Sequence, residues 1–327
     1  MTAVTLEDGT EIDVDAAARR LDGVVRRTPL VPFPAPEERI ELRLKLECLQ
    51  ETNSFKARGA WNQVSQLAPA ERELGVVATS SGNHGRAVAW AARRAGVRAT
   101  IYMAANAYPN KVEACRAEGA EVILTPTRAE AEERCAQAVR AGAFLVHPYK
   151  DARTIEGAGT VGLEIAQDWP AVEVVLVPVG GGGLIAGSAL ALALRLGDEV
   201  AVIGVEPEGS PNLSRALEAG RPVVIDPIRT SIQGLCPLDT GETNLALVQR
   251  YVEGMITLSD EEILEGQRQL VRAGHTVEPA GAAGFAALVA RALPPEFLAG
   301  RSRSNPLRVA CVVSGGNPDP EQLASLS

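Results

Sequence analysis

The fold of this chain is constrained most by a regular alternation of short apolar segments with alanine-rich segments of helical length. The apolar segments 75–80, 99–103, 121–124 and 144–146 are separated by longer segments with the composition of helices. Strands that alternate with helices build parallel βαβ units, with helices on both faces of the sheet. The pattern therefore predicts an α/β protein.

A second block repeats the same alternation. Its predicted strands are residues 172–179, 201–206 and 307–313, and its predicted helices include residues 157–167 and 280–293. A chain of 327 residues can form two compact domains. We expect two open parallel-sheet domains, the larger from residues 1–46 and 146–327 and the smaller from residues 47–145. The apolar segment 40–47 is a further predicted strand that fits either block.

Composition limits the partners of the protein. The 41 acidic and 32 basic residues give a net charge of −9, which argues against nucleic acid and anionic membrane surfaces as partners. The five cysteines form no CxxC pair, so neither a zinc site nor a disulfide framework is indicated. No apolar run reaches the length of about 18 residues that spans a membrane, and the N-terminus does not resemble a signal peptide. We expect a cytoplasmic protein.

Lys56 is the first candidate for chemistry. It lies in the segment Asn53-Ser54-Phe55-Lys56-Ala57-Arg58-Gly59. A lysine that binds an aldehyde cofactor must lose its proton, which requires a dry site or a nearby positive charge that lowers its pKa. The alternative is a solvated lysine in a short loop, which is the commoner situation for a lysine considered alone.

Four consecutive glycines, Gly180 to Gly183, connect a continuous apolar strand to an Ala/Leu-rich helix. Backbone without side chains can approach an anion closely. Its free N–H groups and the positive end of the helix bind phosphate without lysine or arginine. A tight turn is the alternative, but it does not need four glycines. The run therefore favours a phosphate site.

The segment Thr79-Ser80-Ser81-Gly82-Asn83-His84-Gly85 joins a predicted strand to a predicted helix. Ligands collect at such junctions in open α/β sheets, and the polar groups here suit a small carboxylate. Ser80 or Ser81 could instead cap the helix. His84 is as consistent with a structural role in the turn as with proton transfer, and we assign it no proton transfer.

Ser314-Gly315-Gly316-Asn317 follows the last predicted strand and is therefore expected at the carboxyl edge of a sheet. The Ser314 hydroxyl could make one hydrogen bond to a ring nitrogen. Considered alone, the segment is better interpreted as a turn after a buried strand.

Together these four segments resemble the fold-type II pyridoxal-phosphate enzymes, and among them the serine/threonine dehydratase and serine racemase group. The order and spacing of the segments match that group from Thr28 to Asn317. The resemblance implies a fold like that of the tryptophan synthase β-subunit, with pyridoxal 5′-phosphate in the cleft between the two domains. It also implies a homodimer.

The resemblance implies a role for individual residues. Those placed around the cofactor are Phe55, Lys56, Asn83, Gly180, Gly181, Gly182, Gly183, Leu184, Gly234 and Ser314. Those placed around the substrate are Ser80, Ser81, Asn83 and His84. Within this set Lys56 binds the aldehyde, Phe55 packs on the ring, Asn83 hydrogen-bonds the ring hydroxyl, the glycines hold the phosphate and Ser314 meets the pyridine nitrogen.

The reaction implied is elimination of the β-hydroxyl from a small amino acid such as L-threonine or L-serine, yielding a 2-oxo acid and ammonia, with Lys56 as the base. A neutral hydroxyl at Ser314 favours elimination over transamination. Ser81, expected on the opposite ring face, could exchange the same proton, so an amino-acid racemase is an alternative. A hydroxyaspartate dehydratase is another.

Two further questions are left open by the residues. Some relatives bind a divalent cation through a glutamate and an aspartate; Glu206 matches the first, but Asn212 occupies the later position and would weaken such a site.

A different class, the NAD-dependent dehydrogenases, is suggested by residues 181–186, which fit GxGxxA, with Glu206 as the ribose-binding acid. That alternative leaves Lys56, Asn83 and Ser314 unexplained. A cofactor-binding protein without turnover is a third class.

Overall fold

The computed structural model describes residues 3–326, which form twelve β-strands and thirteen α-helices. The strands are β1 (Ala3–Thr5), β2 (Glu11–Asp13), β3 (Leu30–Phe33), β4 (Ile40–Leu46), β5 (Val76–Thr79), β6 (Ala99–Ala104), β7 (Glu121–Thr125), β8 (Phe144–Leu145), β9 (Val174–Pro178), β10 (Ala201–Pro207), β11 (Gly254–Leu258) and β12 (Leu307–Val313). The helices are α1 (Val14–Leu21), α2 (Lys56–Val64), α3 (Pro69–Leu74), α4 (Asn83–Ala95), α5 (Pro109–Ala117), α6 (Arg128–Arg140), α7 (Ala152–Asp168), α8 (Gly183–Leu196), α9 (Asn212–Ala219), α10 (Glu242–Tyr251), α11 (Asp260–Arg272), α12 (Pro279–Val289) and α13 (Pro320–Ala324).

Two sheets carry the fold, as the alternating pattern predicts. The larger has six strands in the order β11-β10-β9-β12-β4-β3, and the smaller has four in the order β7-β6-β5-β8. All neighbouring strands are parallel except β3, which pairs antiparallel with β4 at the edge of the larger sheet. Strand β4 pairs with β12, so the segment that fitted either block lies in the larger sheet. The predicted domain borders stay a prediction.

Burial on both faces explains why the strands of the larger sheet are continuously apolar. Every residue of β9 is buried. Val175 and Val177 belong to the core that contains α7, α8 and α10, whereas Val174 and Leu176 belong to the core that contains α11 and α12. Successive residues of a strand point to opposite faces, so both sets must be apolar.

Helix α7 positions the functional segments because it packs closely on two other helices. A Cβ atom on Gly187 of α8 would lie 2.2 Å from the Ile155 carbonyl oxygen of α7. A Cβ atom on Gly157 of α7 would lie 2.6 Å from the Arg58 carbonyl oxygen of α2. Glycine at these contacts lets the backbones touch. Helix α7 thereby sets α2, which begins at Lys56, against α8, which begins in the glycine run.

Several boundaries differ from the sequence predictions. Helix α7 begins at Ala152 instead of residue 157, since the Asp151 side chain accepts a hydrogen bond from the Arg153 N–H and caps the helix. Helix α12 ends at Val289 rather than near residue 293. Helices α1, α2, α3, α10 and α13 and strands β1, β2, β3 and β11 were not predicted. No helix within residues 3–326 is both long and apolar enough to cross a membrane.

Candidate active site

Lys56 begins α2 and its side chain is largely withdrawn from water. The Lys56 Nζ donates a hydrogen bond to the Pro148 carbonyl oxygen at 2.7 Å and lies 4.9 Å from the centre of the Phe55 ring. Burial lowers the pKa of the Lys56 ammonium from 10.5 to about 8. Of the two causes that can lower the pKa of a lysine, desolvation is therefore the one that acts on Lys56.

A buried cluster of four charges holds the first turn of α2. The Arg58 guanidinium donates to both carboxylate oxygens of Glu47, at 2.7 and 2.8 Å, and to both of Glu164, at 2.9 and 2.6 Å. Lys45 donates to Glu164 and to the Thr28 carbonyl oxygen. Two cations and two anions balance, which is the condition under which buried charges are tolerated. The cluster anchors the helix that carries Lys56 to β4 and α7.

The segment before Lys56 pairs with the segment after β12. The Phe55 N–H donates to the Ser314 carbonyl oxygen at 3.1 Å, and the Gly316 N–H donates to the Asn53 carbonyl oxygen at 2.8 Å. The Ser314 side chain makes no hydrogen bond within residues 3–326, although the residue is buried. The structure thus brings Ser314 beside Phe55 and Lys56 with a hydroxyl that is free to bind a ring nitrogen.

Asn83 begins α4 on the smaller sheet, and its amide reaches across to the larger one. Its Oδ1 accepts a hydrogen bond from the Asn317 Nδ2 at 2.8 Å, and its Nδ2 donates to the Glu278 carboxylate. Burial raises the pKa of Glu278. The sequence analysis missed Glu278, although an acidic residue directly before Pro279 at the start of a helix was a usable signal.

The glycine run places backbone N–H groups, unpaired within the part of the chain that the structure describes, at the beginning of α8. Gly182 has a φ of 89°, which favours glycine. Thr240 Oγ1 and Asn244 Nδ2 each donate to the Gly181 carbonyl oxygen at 3.0 Å. The backbone N–H groups from Gly180 to Leu184 donate no hydrogen bond to any acceptor within residues 3–326. Free N–H groups at a helix N-terminus suit a phosphate, so the chain fits the cofactor that the resemblance implies.

Tyr149 and Gly234 pack closely against the glycine run. A Cβ atom on Gly181 would lie 2.3 Å from a ring carbon of Tyr149, and one on Gly180 would lie 2.9 Å from the Gly234 carbonyl oxygen. Gly234 therefore lies beside the predicted phosphate site. The sequence analysis missed Tyr149, although residues directly after a strand such as β8 lie at the sheet edge where ligands bind.

His84 and the two serines before it lie at the start of α4. The His84 ring is buried and its Nε2 donates to the Val146 carbonyl oxygen at 2.8 Å. Burial, and secondarily the Lys56 charge, lower the pKa of His84 to about 3, so the ring is neutral. Ser80 accepts from the Gly82 N–H at 3.2 Å and Ser81 is exposed; neither caps the helix. The backbone of this segment and the exposed Ser81 hydroxyl are therefore the parts that can face a substrate.

Glu206 is completely buried, and its carboxylate holds the start of α9. It accepts from the Leu213 N–H at 2.7 Å and from the Ser214 N–H and hydroxyl at 3.0 and 2.7 Å. Burial raises the pKa of Glu206 to about 7. Between residues 3 and 326 no group of three or more His, Cys, Asp or Glu side chains is arranged to hold a metal ion. Neither the cation nor the ribose suggested for Glu206 gains support from this geometry.

Comparison with known proteins finds one family over most of the chain. A family model described as pyridoxal-phosphate dependent enzyme matches residues 21–315. The L-threonine ammonia-lyase of Thermotoga maritima is 40% identical over 321 residues, which is 97% of this chain and 76% of that protein. An L-threo-3-hydroxyaspartate ammonia-lyase from Pseudomonas sp is 36% identical over 96% of this chain and 97% of that protein. The structure of maize serine racemase matches with a TM-score of 0.86 and 31% identity, over 95% of this chain and 94% of that one.

Proposed function

The chain belongs to the pyridoxal-phosphate dependent enzyme family, and from this premise we propose that it is an ammonia-lyase. The proposed reaction eliminates the β-hydroxyl of a small hydroxy amino acid and produces a 2-oxo acid and ammonia. One observation carries the proposal. A half-buried lysine with a lowered pKa and a row of free backbone N–H groups flank the same segment, Pro148 to Tyr149.

The residues that would hold the cofactor come from both sheets. Lys56 would bind its aldehyde, the N–H groups from Gly180 to Leu184 its phosphate, Asn83 its ring hydroxyl and Ser314 its ring nitrogen. When bound, pyridoxal phosphate withdraws electrons from the substrate carbon that bears the amino group, which makes the proton on that carbon removable.

Lys56 is the proposed base for that proton. Its pKa of about 8 allows a free amine to form near neutral pH, and a base is most effective when its pKa lies near the working pH. The neutral Ser314 hydroxyl offers a ring nitrogen no strong acid, which supports elimination over transamination. His84 has its Nε2–H committed to Val146 and takes no part in proton transfer.

The Lys56→Ala variant tests the proposal. The wild-type protein, supplied with pyridoxal phosphate, should release ammonia from L-threonine or L-serine, and Lys56→Ala should lose this activity by at least about a thousandfold. Borohydride should fix the cofactor on Lys56, while the other three lysines, Lys45, Lys111 and Lys150, stay unlabelled and serve as internal controls. Full activity in Lys56→Ala would contradict the proposal.

A racemase remains the second candidate because the exposed Ser81 lies at the start of α4 beside Asn83 and makes no hydrogen bond within residues 3–326. The same incubations, analysed for D-serine, distinguish the two candidates. Formation of D-serine that disappears in Ser81→Ala while ammonia release persists would assign Ser81 to the opposite face of the substrate.

A further inference from the structure

An ion pair lies beside the glycine run between two residues, Lys150 and Asp239, that the proposed chemistry does not use. Lys150 follows Tyr149, and Asp239 lies in the loop 234–241, whose Gly234 contacts Gly180. The Lys150 Nζ donates to one carboxylate oxygen of Asp239 at 2.7 Å, and the Tyr149 hydroxyl donates to the other at 2.9 Å. One carboxylate therefore neutralises the lysine and joins the two segments.

The Lys150–Asp239 pair is close to the reactive lysine. Lys56 donates to the carbonyl oxygen of Pro148, two residues before Lys150. The His147 Nδ1 accepts hydrogen bonds from the Tyr149 and Lys150 N–H groups at 3.2 and 3.0 Å. Burial first, then the charges of Lys150 and Lys56, lower the pKa of His147 to about 4, and Asp239 opposes them, so the fields of all three charges act on one ring.

The exposure of the pair allows its charges to act on a bound molecule. The Lys150 side chain is 37% exposed and the Asp239 side chain is 27% exposed. Both are partly removed from water, which screens them less than charges on an open surface. Both also keep accessible surface that a substrate side chain can approach.

The loop that borders the glycine run offers no cation of its own. Residues 231–244 contain the acids Asp239 and Glu242 and no lysine or arginine. Lys150, from the neighbouring segment, contacts this loop through its ion pair with Asp239, which neutralises its charge. A carboxylate on the substrate side chain would therefore meet an acidic loop and a lysine that is already paired.

We propose that the Lys150–Asp239 pair determines the charge of the substrate side chain that the site accepts. The site takes hydroxy amino acids with uncharged side chains, such as threonine and serine, and discriminates against a side-chain carboxylate, as in 3-hydroxyaspartate. Like charges brought together in a partly dry site oppose binding, which gives specificity by repulsion. This inference rests on the proposed function and names its substrate class.

A charge cycle on the pair tests the inference. Asp239→Asn preserves the shape of the side chain and changes the pair from neutral to a charge of +1, Lys150→Met changes it to −1, and the double variant is neutral again. The measured quantity is the ratio of kcat/KM for L-threo-3-hydroxyaspartate to kcat/KM for L-threonine. This ratio should rise about tenfold in Asp239→Asn, fall about tenfold in Lys150→Met and return toward the wild-type value in the double variant.

The outcomes separate charge from packing and from the proposed function itself. Glu253→Gln, which removes an exposed acid beyond the far end of α10, should leave the ratio unchanged. A wild-type preference for hydroxyaspartate, or equal losses for both substrates in the two single variants, would overturn the specificity role while leaving the ammonia-lyase intact. A wild-type protein that turns over neither amino acid would overturn the proposed function and this inference together.

Discussion

At the scale of single residues, the pKa of Lys56 is set by the burial of its side chain and not by the charged residue of its sequence motif. Burial alone accounts for the lowered pKa of Lys56. The nearby Arg58 does not contribute to it, because two glutamates surround that guanidinium and neutralise it. His84 stays neutral for the same reason that the pKa of Lys56 is lowered: burial disfavours the charged form of both side chains.

The pH dependence of cofactor incorporation follows from this environment. Only the unprotonated Lys56 amine attacks an aldehyde, so incorporation into the cofactor-free protein should accelerate about tenfold per pH unit below the pKa and level off above it. The levelling is expected at about pH 8 rather than at 10.5. Stopped-flow absorbance between pH 6 and 10 measures the profile. A rate that still rises steeply above pH 9 would show that the site does not desolvate the amine.

At the scale of secondary-structure elements, the buried charges connect α2 to β4 and α7. Arg58 and Glu164 are 106 residues apart in the chain, and Glu164 also accepts a hydrogen bond from Lys45 of β4. Because α7 packs closely on both α2 and α8, it fixes the position of Lys56 relative to the glycine run. The arrangement of the site is thus a consequence of how three helices pack.

Removal of Arg58 should destabilise this arrangement strongly. Arg58→Ala leaves the Glu47 and Glu164 carboxylates buried without their main partner, so the free energy of unfolding should fall by about 3–5 kcal/mol. Urea unfolding followed by circular dichroism measures it. The matched control is Arg215→Ala, which removes an exposed partner of Glu218 and should leave the unfolding curve unchanged. A similar small effect at both positions would refute the role of the buried cluster.

At the scale of the whole molecule, the proposed cofactor groups come from both sheets. Lys56 and Asn83 begin helices that pack on the smaller sheet, whereas Ser314 and the glycine run follow strands of the larger one. A ligand that binds all of them would bridge the two sheets. The homodimer, the cytoplasmic location and the domain borders stay predictions from the sequence.

Cofactor binding should therefore stabilise the entire chain. Pyridoxal phosphate at one hundred times its Kd should add about 2.7 kcal/mol to the free energy of unfolding, with a matching rise in Tm. Pyridoxal, which lacks the phosphate, should stabilise less at the same concentration because the free N–H groups of the glycine run then bind no anion. Differential scanning fluorimetry compares the two. Equal shifts with both ligands would mean that the glycine run does not hold the phosphate.

The sequence alone determined the α/β class and the four functional segments, because strand alternation, consecutive glycines and the residues around Lys56 are local patterns. Only the tertiary structure decided which side chains surround them. Glu278 meets Asn83 across 195 residues of sequence, and Tyr149 reaches Asp239 across 90. The tertiary structure also placed the Glu206 carboxylate at the start of α9, where it accepts hydrogen bonds from Leu213 and Ser214. Such contacts depend on strand order and helix packing, which no local pattern encodes.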